Sequence, residues 1–168
     1  MPGKRGDGGP CGPSVVAALD CGEGGVVTVL GVVNSWRGRL RGPVREGFRG
    51  YSPLRELKAT LEARGWAVAV RGGRKAHEFP EPPAGGASIA RIQWLREDGA
   101  EYPWFEAARH SHYVLVRRSP AGDLWVFDNC GGGWRPARDH RGLVAPGTGH
   151  VSSVLDVVPA QPGLGAFA

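Results

Sequence analysis

The sequence predicts an α+β domain, on three observations. Helix signals sit early in the chain, at PSVVAALD (residues 13–20) and SPLRELKATLEARG (residues 52–65). Short runs rich in β-branched and aromatic residues then fill most of the stretch from 66 to 158. The strands follow one another without intervening long helices, which favours antiparallel pairing over a β-α-β alternation.

Each element has a local reason. Pro13 suits a first helical turn and Gly22 a helix end, so residues 13–20 read as a short helix. The run VVTVLGVV (residues 26–33) reads as a buried strand, with a helix as the competing assignment. In the clearest helix Ser52 is expected to cap, Pro53 to occupy the first helical position, and Gly65 to stop it. Leu54, Leu57 and Leu61 then share one face. Strands are expected at Trp66–Arg71, Ala87–Leu95, His112–Arg118, Asp123–Asp128 and Val151–Val158. The Ser119–Gly122 segment between the third and fourth is a hairpin turn, and residues 72–86 read as loop.

Composition bounds the function. The 168 residues include 28 Gly and 14 Pro, but six Trp, five Phe and three Tyr remain to anchor a core. One domain over residues 1–160 with a flexible tail at 161–168 fits this length. No apolar run approaches the roughly 20 residues of a membrane span, and the N-terminus lacks a signal-peptide pattern. A cytoplasmic location is therefore expected. The net charge is +5, with 18 of 21 basic residues Arg. Five Arg fall within residues 37–49, yet a solvated basic loop explains them better than a nucleic-acid surface. Three Cys and no CxxC pair argue against a disulfide framework and a structural metal. No cofactor is expected.

One set of residues carries chemistry. Cys11 lies at the mouth of the first helix, where the positive end of the helix dipole favours a thiolate. A nucleophilic thiol needs a base. Pairing the hairpin strands so that opposed numbers sum to about 240 sets His112 opposite Asp128, on the same face. A carboxylate there orients the imidazole. A one-residue slip would bring Asn129 up instead. His110 is the alternative base and His150 a more distant one, while Cys21 reads as a helix-end thiol and Cys130, two residues past Asp128, as either a neighbour of the site or a loop thiol. Tyr102, Trp104 and Phe105 either line a cleft or cover the sheet.

Cys11-Gly12-Pro13 before a helix, His112-Tyr113-Val114-Leu115-Val116, and Trp125-Val126-Phe127-Asp128 resemble the papain-like cysteine peptidases. The nearest shapes are double-glycine leader peptidases and Josephin-type deubiquitinases. Gly6-Asp7-Gly8 ahead of Cys11 is similar to the loop of ovarian-tumour deubiquitinases. The resemblance covers the order of elements over most of residues 5–130.

It implies a papain-like fold and hydrolysis of peptide or isopeptide bonds in a peptide or protein substrate. Cys11 would be the nucleophile, His112 the base and Asp128 the orienting residue. The family's oxyanion Gln, five or six residues before the Cys, is replaced by Gly6 and Arg5. Backbone N–H groups of Gly9 and Cys11 would then form the oxyanion hole. An inactive homologue serving as a binding module and a transglutaminase-like acyl transferase are the alternatives.

Overall fold

The β-rich runs assemble into one six-stranded sheet in the computed structural model, which describes residues 11–21, 53–72, 75–130 and 133–160. Its strands are β1 (Trp66–Arg71), β2 (Ala87–Trp94), β3 (Ser111–Arg118), β4 (Leu124–Asp128), β5 (Gly133–Pro136) and β6 (Gly149–Pro159). Their spatial order is β1-β6-β2-β3-β4-β5, and every neighbouring pair is antiparallel. The helices are α1 (Cys11–Cys21), α2 (Leu54–Ala63) and the single turn α3 (Trp104–Ala107). The architecture is α+β, as expected. Among the described residues no helix is long and apolar enough to cross a membrane.

Strand alternation gives the sheet two apolar faces. On one, Ile89, Tyr113, Leu115, Leu155 and Val157 pack with Val15, Val16 and Leu19 of α1 and Leu57 and Leu61 of α2. On the other, Ala90, Ile92, Val114, Val116 and Val126 pack with Val144 of a 3-10 segment, Ala137–Val144. The β2–β6 register shifts between Arg91 and Ile92, where Ser152 is the extra residue. This bulge lets Val151 and Val154 serve the same face despite their odd spacing. Asp156 of β6 accepts from Ser88 of β2 (2.6 Å) and Arg71 of β1 (2.9 Å), tying three strands together.

Several boundaries differ from expectation. The first helix starts at Cys11 rather than residue 13, because its first-turn amides need no intrahelical partner and so tolerate Pro13. In α2, Pro53 is the N-cap rather than the first helical residue, and its carbonyl accepts from Glu56 (3.0 Å) and Leu57 (3.1 Å). Gly65, with φ of 90°, ends that helix as expected. Leu95 leaves β2 to form an isolated bridge with Glu101. Strand β5, α3 and the 3-10 segment went unanticipated. The expected Ser52 cap, the strand at 26–33, the Arg-rich stretch at 37–49 and the tail at 161–168 lie outside the described residues.

The hairpin register is also corrected. The β3–β4 pairs are Leu115 with Phe127, Val116 with Val126, Arg117 with Trp125 and Arg118 with Leu124. Opposed numbers sum to 242, not 240, because the connection is longer than the four residues expected. It runs from Ser119 to Asp123, with Gly122 at φ 90° and Ser119 N–H donating to the Asp123 carbonyl (2.8 Å). Asp123 therefore belongs to the turn rather than the strand.

Candidate active site

Helix α1 delivers Cys11 to the sheet. Its apolar residues pack against β3 and β4. At its far end Asp20 accepts from Trp66 Nε1 (3.1 Å) and pairs with Arg64, which fixes the helix against the α2–β1 turn. Cys11 is thereby buried at the start of β3. Its sulfur is hydrogen-bonded to the His112 side chain and to the backbone N–H groups of Tyr113 and Gly12.

Strands β3 and β4 deliver the other two groups. The even shift in register leaves His112 and Asp128 on one face, but as diagonal neighbours rather than opposed ones. His112 Nε2 lies 2.7 Å from Asp128 Oδ1, and both residues are buried. Trp94 of β2 stacks over the imidazole with ring centroids 6.1 Å apart and planes within 16°. The Cys130 N–H donates to the same Asp128 oxygen at 2.9 Å.

These contacts set the charges. Burial pushes the Cys11 thiol up, but the bonds and charge of His112 and the two backbone donors outweigh it and hold the thiol below its ordinary value. Burial likewise opposes charge on His112. Asp128 and Cys11 overcome it and raise the imidazole to about 9. For Asp128, the pull of His112 and the Cys130 amide overcomes burial and keeps the carboxyl low. A thiolate–imidazolium pair backed by a carboxylate is the charge state these contacts favour. The thiolate is the form that attacks carbonyl carbon.

The structure therefore brings Cys11, His112 and Asp128 together. It places Asn129 elsewhere: its Oδ1 accepts from the Cys130 thiol (3.7 Å), and the orienting position belongs to Asp128. The ring of His110 stacks on Tyr102, with centroids 3.6 Å apart. His150 is buried edge-on to His77. Gly9, Arg5 and Gly6 lie outside the described residues, as does the side chain of Cys21. Trp104 and Phe105 are both exposed, so neither covers the sheet.

Gln93 cannot replace the missing Gln ahead of Cys11. Its amide donates to the carbonyls of Ala107 (2.9 Å) and His110 (3.0 Å), pinning the segment that leads into β3. The N–H of Cys11, first residue of α1, is left without an intrahelical acceptor.

Two neighbours of the site were not anticipated. Trp94 has the signal of its strand alternation: it shares a face with Ile92, which pairs with His112. His140 is buried within the interaction range of Asp128, and burial holds it below its ordinary value. It stands on a 3-10 segment with no sequence period to announce it.

The fold and site together define an α+β chain with a buried Cys-His-Asp cluster at the junction of a helix and a hairpin. Neither a scan against protein-family models nor a search of the curated proteins finds a match for this chain.

Proposed function

We propose that the protein is a cysteine peptidase of papain-like type, hydrolysing peptide or isopeptide bonds. The observation that carries this reading is the chain of contacts from Cys11 to His112 to Asp128, with the His112–Asp128 bond at 2.7 Å. Cys11 attacks the substrate carbonyl carbon and forms a tetrahedral oxyanion. The Cys11 N–H, at the positive end of α1, is a donor for that oxygen. The imidazolium of His112 then protonates the leaving amine as the C–N bond breaks. Water, deprotonated by the neutral imidazole, attacks the thioester and returns the thiol. Asp128 keeps the ring oriented and stabilises its charge throughout.

A substrate-like electrophilic peptide probe tests the reading. It is expected to label Cys11 in the purified protein, and labelling is expected to fall sharply in His112→Ala. Equal labelling of the two proteins rejects His112 as the base. Labelling without turnover of any peptide or ubiquitin-type substrate points instead to an inactive homologue serving as a binding module. Turnover only with an added amine points to an acyl transferase.

A further inference from the structure

Cys130 is an exposed thiol, and the catalytic scheme gives it no task. Its position is distinctive. The donor atoms of His112, Asp128 and Cys130 all lie within 4.8 Å of one another. The turn after β4 holds two of them together, since the Cys130 amide binds the very carboxylate oxygen that faces His112.

We propose that His112, Asp128 and Cys130 form a Zn2+ site that closes the catalytic cluster. The chemistry of the donors selects the ion. An imidazole, a carboxylate and a thiolate are the ligands that Zn2+ takes, and a sulfur donor disfavours Mg2+ and Ca2+. The spacing fits too. Zinc bonds of about 2.0–2.3 Å put tetrahedral ligands roughly 3.3–3.8 Å apart. The present separations, from 2.7 Å up to the 4.8 Å limit, bracket that range. The ion takes the place of the proton between His112 Nε2 and Asp128 Oδ1, and Cys130 closes on it from the solvent side. Water completes the fourth position. Cys11 is not a ligand: it is not among the donors that all lie within 4.8 Å of one another.

The charges balance. Binding releases two protons, one from the Cys130 thiol and one from Nε2. The +2 ion then meets one carboxylate, one thiolate and a neutral ring. With Nε2 on the metal, His112 can no longer become the imidazolium that protonates a leaving group. The site is thus a switch: zinc holds the cluster off, and its removal restores it. The binding step stands independently of the peptidase reading, while the effect on turnover rests on it.

Cobalt titration of the full chain tests the site without any substrate. One Co2+ per chain is expected, with a thiolate-to-cobalt charge-transfer band. The band is expected to vanish in Cys130→Ser and to persist in Cys11→Ser. Losing a partner that only supports a ligand weakens metal binding about 10–100-fold, so calorimetry with Zn2+ is expected to show at least about a hundredfold loss in Cys130→Ser. Unchanged zinc affinity in Cys130→Ser overturns the proposal. So does a band that follows Cys11 rather than Cys130. If metal-free protein also fails to label at Cys11, the peptidase reading falls while the metal result still stands. In an active enzyme, zinc is expected to stop turnover of the wild type and to spare Cys130→Ser.

Discussion

His112 and Asp128 meet across a diagonal of the β3–β4 hairpin, 2.7 Å apart, rather than as directly opposed residues. The parity of the register decides which carboxamide or carboxylate matters. With Val116 opposite Val126, the face that carries His112 carries Asp128 and turns Asn129 away. Asp128→Ala is expected to lower kcat/KM roughly a hundredfold or more, because the imidazole loses the group that orients it and stabilises its charge. Asn129→Ala is expected to leave kcat/KM unchanged. Steady-state kinetics on the two variants, in chelator-treated buffer, checks both.

The thiolate–imidazolium pair predicts a particular pH profile for stability. His112 is raised from 6.5 to about 9, so alone it would stabilise the fold fully below 6.5 and lose that contribution as pH rises through 9. Cys11 is lowered from 9.0, so alone it would stabilise fully above 9.0 and lose that contribution as pH falls through its folded value. The two slopes therefore oppose each other. Denaturant melts are expected to show a flatter pH dependence between 6.5 and 9 than His112 alone would give. In Cys11→Ser one of the two partners that raise His112 is gone, so its folded value is expected to fall below about 9, and an NMR titration of the imidazole reads the drop.

The same pair predicts reactivity. A lowered Cys11 reacts as thiolate below the range of an ordinary thiol, whereas burial and the neighbouring Asp128 and Cys11 raise Cys130. Iodoacetamide at pH 6 is expected to modify Cys11 before Cys130, although Cys11 is the buried one. Peptide mapping by mass spectrometry reads the order. Prior modification of Cys130 contradicts the charge assignment.

Gln93 links the sheet to the segment that precedes His112. Gln93→Ala removes two bonds, to Ala107 and His110, each worth about 0.5–1.5 kcal/mol. The variant is expected to lose about 1–3 kcal/mol in urea melts. It is also expected to become susceptible to limited proteolysis near residues 104–110, while Cys11 stays reactive.

Gly86 marks the close approach of β2 to β6. A Cβ there would stand 2.1 Å from the Val157 carbonyl oxygen, which is backbone and cannot swing aside. Gly86→Ala is expected to destabilise by more than about 2 kcal/mol. Its neighbour Gly85 has open space but φ of 71°, so Gly85→Ala is expected to cost only about 1 kcal/mol. Parallel thermal melts of the two variants separate steric overlap from backbone strain.

The sequence by itself determined the α+β class, five of the six strands and the helix behind Ser52-Pro53. Those follow from local period, β-branched runs and Gly stops, all encoded within a few neighbouring residues. It also placed His112 and Asp128 on one face, because strand parity survives a two-number error in register. Strand β5 and the 3-10 segment were illegible: GWRP is too short for a period, and ARDHRGLV holds its shape by packing Val144 against Val126 and its neighbours. Only the tertiary structure decided that Cys11, a hundred residues earlier, reaches His112, since that contact depends on α1 lying across β3 and β4. Mutual contact then decided the charges, against the pull of burial. A thiol, an imidazole and a carboxylate are ordinary groups in water, and it is their hydrogen bonds and charges at close range that couple their protons.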